Sequence, residues 1–185
     1  MPREPRVTRV ERTFGFIDIS GFTAYTDNQG DAAAVAALYD FRLVVRDVAS
    51  FHGVRIDKWL GDGAMLVGVE TAPLVHAVLD IELRLAEHQF PLPLRAGLSS
   101  GAVILFEAED YIGTVVNLAS RLCADALPGQ TLATAVVAEY APPWAMRRPM
   151  GEVVVRGLAE PVPLVSVTGL PHQEPEDAIE DHADA

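Results

Sequence analysis

Apolar and polar positions along the chain fall into two rhythms, and the switches between them mark the elements. The run from Thr13 to Thr23 begins as a buried strand and ends in a glycine turn. From Asp31, placed to cap a helix, Leu38, Phe41, Val45 and Val48 recur at helical spacing to about Phe51. Gly53 to Lys58 then reads as a strand, Gly61-Asp62-Gly63 as a tight turn, and Ala64 to Val69 as the returning strand of a hairpin. A second helix starts at Thr71, with Leu74, Val78, Ile81 and Leu85 on one face. Leu92 to Leu105 alternates into a strand broken by Gly97 and Gly101. A helix is expected from about Gly113 to Ala126, ahead of Pro128-Gly129. A short strand and helix follow between Gln130 and Tyr140. Two strands, Glu152 to Arg156 and Pro163 to Thr168, close the pattern around a turn at Gly157 to Pro161.

Strand, helix, strand, strand, helix, strand is the split βαβ order. The fold class expected is therefore α+β, a ferredoxin-like βαββαβ core with a C-terminal strand and helix extension. That order hosts many activities and assigns none. With 185 residues, 50% of them hydrophobic and 22% charged, the chain suits one globular domain. We place that domain over residues 1–170, followed by an acidic, disordered tail over 171–185. The tail holds Glu174, Glu176, Asp177, Glu180, Asp181 and Asp184, which is half of the net charge of −12. Without a basic stripe, nucleic acid is not an expected partner. A polyanionic small molecule is compatible with this charge if metal ions neutralise it. The longest apolar runs, such as Ala32 to Leu38, fall far short of a membrane span, so no membrane insertion is expected. Met1 to Arg6 leads into no apolar signal core, and no regulatory domain is expected ahead of the first strand. These features fit a cytoplasmic location. The single cysteine, Cys123, is assigned to the core.

Two carboxylates stand out. Asp18 ends a buried strand and Asp62 sits in the hairpin turn. If the strands are neighbours, both reach one edge of the sheet and repel each other unless something positive lies between them. Hard oxygen ligands of this kind select magnesium or manganese, completed by substrate phosphates. Turn chemistry alone explains Asp62 equally well. Ser20-Gly21-Phe22-Thr23 follows Asp18 directly, and small residues there let successive amides point toward a phosphate. In the segment Asp110 to Arg121, Asn117 and Arg121 are one helical turn apart and share a face. The buried face beside them carries Val116, Ala119 and Cys123. The pair makes a polar, cationic clamp or, read alone, a solvated helix surface.

These segments together resemble the class III nucleotidyl cyclase catalytic domain, the adenylate and guanylate cyclase family. Phe16 to Thr23 is similar to that family's first metal segment. Lys58-Trp-Leu-Gly-Asp62 is similar to the second, and Asp110 to Arg121 to the third. Val155 to Val162 resembles the closing hairpin. The likeness runs over roughly residues 10–168 and is most like an adenylate cyclase. It implies that Asp18, Asp62 and the Ile19 carbonyl hold two divalent metal ions, Mg or Mn. It implies that Lys58 and Asp110 read the base, Asn117 positions the ribose and Arg121 stabilises charge on the α-phosphate. Arg156 would approach the terminal phosphates, and the loop Gly21, Phe22, Thr23 would line the substrate. It implies a head-to-tail homodimer with shared sites, the metal residues from one subunit and the base and transition-state residues from the other. One departure is visible: between Gly101 and Asp110 only eight residues intervene, fewer than family members commonly use to grip the partner.

The reaction implied is ATP to 3′,5′-cyclic AMP and pyrophosphate. Lysine only donates and ionised aspartate only accepts, so Lys58 and Asp110 complement adenine, with its N1 acceptor and N6 donor, and mismatch guanine. A guanylate cyclase and a non-catalytic nucleotide-binding module of the same fold are the competing readings.

Overall fold

The computed structural model describes residues 8–107 and 110–169. The acidic segment over 171–185 lies outside the described residues. Among the described residues, thirteen elements follow one another: β1 (Thr8–Ile19), α1 (Phe22–Gln29), α2 (Asp31–His52), β2 (Arg55–Leu60), β3 (Gly63–Gly68), α3 (Thr71–Glu87), β4 (Leu94–Phe106), β5 (Asp110–Ile112), α4 (Thr114–Asp125), β6 (Thr131–Thr134), α5 (Ala135–Ala138), β7 (Met146–Val153) and β8 (Val162–Thr168). The sheet order is β2-β3-β1-β4-β6-β8-β7, with β5 hairpinned onto β4. The β2-β3-β1-β4 half is the expected ferredoxin-like core, and β6 to β8 extend it.

Alternation along β1 decides which face each side chain serves. Ile17 and Ile19 enter the main core with Phe41, Val45 and Val48 of α2 and Leu74, Val78 and Ile81 of α3. Phe14 and Phe16 point to the other face, where they join Met65, Val67, Val103 and Ala119 of α4. Asp18 continues this second row. α4 lies tight on β4 because position 97 is glycine: a Cβ there would sit 2.2 Å from the Ala119 carbonyl oxygen and the Cys123 nitrogen. The strand therefore runs unbroken through Gly97 and Gly101, where the sequence pattern suggested an interruption.

Three further differences have local causes. The turn after Asp18 continues into a separate helix, α1, and Gly30 divides it from α2. Asp31 lies inside the first turn of α2, whose N-cap is Gly30 with no side-chain cap. The strand expected over Glu152 to Arg156 lies earlier, at Met146–Val153, so Arg156 belongs to the turn before β8. Among the described residues, no helix is long and apolar enough to cross a membrane.

A buried carboxyl joins α3 to β6. Glu82 of α3 is 7% exposed, and its Oε1 accepts a hydrogen bond from Thr131 Oγ1 of β6. Burial pushes its carboxyl up from the usual 4.5 to about 7, against a smaller lowering by Thr131. The neutral form is the one the fold favours. Its stabilising effect is complete below the unfolded value and is lost as pH rises through the folded one. Glu82→Gln keeps an acceptor for Thr131 and cannot ionise. The variant should match the parent near pH 4, below the unfolded value, and exceed it at pH 8 by up to about 3 kcal/mol, the scale set by the size of the pKa gap. Urea melts of both chains at the two pH values check this. An equal difference at both would show that Glu82 titrates in the fold as it does in the unfolded chain.

Candidate active site

Asp18 is the penultimate residue of β1, opposite Gly63 of β3 and Arg95 of β4. Gly63 cannot be larger, since a Cβ there would lie 2.6 Å from the Ile17 carbonyl and 3.1 Å from Asp18 Oδ1. The Ile19 amide donates to the Asp62 carbonyl at 3.1 Å, which ties the hairpin turn to the end of β1. The two carboxylates thus share one sheet edge, as the sequence predicted. Their proximity is electrostatic as well as spatial. Burial first, then the Asp18 charge, raises the pKa of Asp62, while the Asp62 backbone and Arg95 oppose the rise.

Arg95 is the residue that sequence reasoning missed. Its Nε and Nη2 donate to Asp18 Oδ2 at 2.9 and 2.7 Å, and Nη1 donates to the Ala124 carbonyl of α4 at 3.2 Å. The sequence signal was a lone cation opening an otherwise uncharged strand. Its partner is 77 positions away, and only the β1–β4 register joins them. A guanidinium held by two bonds on Asp18 shows how strongly this edge demands positive charge.

Ser20 lies just beyond Asp18. Its Oγ is buried with no hydrogen-bond partner, and Gly21 turns the chain into α1 in the left-handed conformation. Phe22 and Thr23 open that helix, so their amides belong to its unsatisfied first turn. Two carboxylates, the Ile19 carbonyl and an orphaned hydroxyl form an oxygen-only donor set suited to magnesium or manganese. Among the described residues, no group of three or more His, Cys, Asp or Glu could hold a metal ion. An ion here would need further oxygens from water or substrate.

The second group of residues assembles from β2, β5 and α4. Lys58 Nζ donates to Asp110 Oδ1 across 52 positions, so the pair expected to read a base is in contact within one chain. The β4–β5 hairpin places Asp110 opposite Phe106. Asn117 is exposed on α4, one turn before the half-buried Arg121. The Arg121 guanidinium lies over the turn after Arg156, so closely that a Cβ on Gly157 would be 2.6 Å from Nη1. Arg156 and Arg121 are thereby neighbours along one rim. Cys123 is buried, and burial first, then Asp18, pushes its thiol up to about 12, which makes it inert as a nucleophile.

No family model matches the chain. It is 37% identical over 148 residues to an uncharacterized protein of Mycobacterium tuberculosis, covering 80% of this chain and 39% of that protein. It is 36% identical over 132 residues to a pH-sensitive adenylate cyclase of M. tuberculosis, covering 69% of this chain and 32% of that protein. The chain thus spans less than half the length of these curated relatives. The crystal structure of the adenylyl cyclase CyaB from P. aeruginosa superposes with a TM-score of 0.77 at 25% identity, over 92% of this chain and all of that one. Fold, motif order and kinship agree: the chain belongs to the class III nucleotidyl cyclase catalytic domains.

Proposed function

We propose that this domain is an adenylate cyclase, converting ATP to 3′,5′-cyclic AMP and pyrophosphate in cytoplasmic second-messenger signalling. The Lys58–Asp110 contact carries the choice of base. It sets a pure donor beside a pure acceptor, the complement of adenine N1 and N6. A guanine would face Lys58 with its N1 donor and Asp110 with its O6 acceptor, leaving both groups opposed. Adenine trades one exposed ion pair for two directed hydrogen bonds.

Asp18, Asp62 and the Ile19 carbonyl would hold two divalent ions, Mg or Mn, at the sheet edge. Bound there, they would supply Lewis-acid activation of the ribose 3′-oxygen and neutralise the triphosphate. The chain's own groups do the rest. Asn117 orients the ribose so that its 3′-oxygen faces the α-phosphorus in line with the departing pyrophosphate. Arg121 donates to the α-phosphate oxygens as negative charge builds, a contribution of about 2.7–4 kcal/mol for a preorganised donor. Arg156, on the turn against Arg121, and the first-turn amides of α1 at Phe22 and Thr23 meet the outer phosphates. The reaction needs no covalent nucleophile, in keeping with an inert Cys123. Two copies pair head to tail, each site taking the metal residues from one chain and Lys58, Asp110, Asn117 and Arg121 from the other.

The direct test is cyclic AMP formation from ATP with manganese, over a range of protein concentrations. No product from ATP together with product from GTP would favour the guanylate reading, and no product from either would favour a nucleotide-binding module. The base pocket has its own test. Lys58→Glu combined with Asp110→Ser should cut kcat/KM for ATP by about a hundredfold, the scale of two lost or reversed hydrogen bonds. Unaltered ATP kinetics in that double variant would remove both residues from the pocket.

A further inference from the structure

Asp62 is held from a direction that the family motif does not contain. Arg42 and Arg46 stand one turn apart on α2, and both guanidinium carbons lie over the Trp59 ring, 4.9 and 5.2 Å from its centroid. Phe41 meets the same indole edge-on, with ring centroids 6.3 Å apart. The ring contact confines where the Arg42 guanidinium can lie. From there Nη2 donates to the Gly61 carbonyl at 3.1 Å, while Nε is buried without a partner.

The Gly61 carbonyl belongs to the peptide before Asp62, and the Asp62 carbonyl to the peptide after it. Arg42 holds the first and the Ile19 amide holds the second. Both peptide planes flanking the Asp62 Cα are therefore pinned. The first plane needs a pin. Gly61 sits at φ +69°, in the left-handed region, and glycine permits the peptide after it to turn over at little cost. Such a turn changes φ at Asp62, and with it the rotamers open to the carboxylate.

We propose that Arg42 is a positioning residue for Asp62, and that Trp59 is the platform that aims it. The proposal rests on the reading of Asp62 as a metal ligand. Arg42 is assigned no contact of its own with substrate or metal. It acts through one carbonyl, and its effect should appear in metal affinity before it appears in turnover.

The experiment uses the full chain with manganese and 3′-deoxy-ATP, which cannot cyclise. Free Mn²⁺ is counted by electron paramagnetic resonance, well below the melting temperature of every variant. Arg42→Ala should weaken Mn²⁺ binding about tenfold, the scale of one charge-assisted hydrogen bond. In turnover assays with ATP, the manganese requirement should rise by the same factor, and kcat at saturating metal should recover toward the parent. Arg42→Lys keeps the charge and a donor but loses the planar guanidinium over the ring, so it should fall between the two. Trp59→Leu leaves Arg42 in place without its platform and should shift affinity in the same direction by less. It carries the test if Arg42→Ala fails to fold. A general loss of stability would lower the melting temperature without this ordered change in metal affinity. Asp62→Ala separates the two levels. If it leaves Mn²⁺ binding unchanged, the metal reading and the proposal fall together. If Asp62 matters while folded Arg42→Ala and Trp59→Leu bind Mn²⁺ as the parent does, Arg42 has no positioning role.

Discussion

Asp18→Ala and Asp62→Ala should each lower cyclic AMP formation by at least about a hundredfold, the loss seen when one preorganised charge-stabilising group is removed. Their effects on the fold should differ, because the two carboxylates have different neighbours. Mutual repulsion alone predicts that losing either one relaxes the protein without metal. Arg95 changes that expectation for Asp18. Its side chain is about one-third exposed and spends two of its donors on Asp18. Asp18→Ala strands that charge and should cost up to about 1 kcal/mol after allowance for solvent screening. Asp62→Ala removes a carboxylate whose pKa is raised by burial and by Asp18, so stability should hold or rise. Thermal melts without metal, run beside manganese-dependent activity, measure both effects. Near-parental turnover in either variant would end the two-metal reading. A stabilised Asp18→Ala would show that the Arg95 pair contributes nothing to the fold.

What the sequence made legible follows from where the information lies. Long amphipathic elements were readable because burial and periodicity coincide. In α2, Phe41, Val45 and Val48 are all fully buried, as their spacing predicted. The metal hairpin was readable because Gly61-Asp62-Gly63 dictates its own turn. α1 was not, because none of its residues is buried, so its eight residues carry no stripe. β7 was misplaced because it is an exposed edge strand containing Pro149 and Gly151, residues that argue against a strand interior, with a register shift between them.

The candidate site divides in the same way. Every residue named by motif is local to a short segment, and the structure brings Asp18 to Asp62 and Lys58 to Asp110. Arg95 and Arg42 have no motif. Each works through a contact between distant elements, β1 with β4 and α2 with the β2–β3 turn. Strand register would have been needed to find the first, and the packing of Trp59 against α2 to find the second.

Asp18→Ala and Arg121→Ala, each inactive alone, should restore activity when mixed. In a single chain the two side chains have separate engagements: Asp18 is held by Arg95, while Arg121 lies over the turn at Gly157. Among the described residues, no hydrogen bond or ion pair joins them. A head-to-tail pair would bring the Asp18 of one copy to the Arg121 of the other. In a mixed dimer one site then receives both lesions and its twin receives neither. Equal random mixing makes half of the dimers mixed, so roughly a quarter of the parental sites should reappear, by the counting for a two-fold homodimer. The β4–β5 hairpin that would grip the partner has only three residues in its second strand, Asp110–Ile112. Association through so short an arm should be weak, and parental activity should rise more than linearly with protein concentration near the dimer dissociation constant. Sedimentation or native mass measurement confirms that mixed dimers form before activity is scored. Mixed dimers without recovered cyclase activity would place all catalytic groups within one chain and sink the shared site.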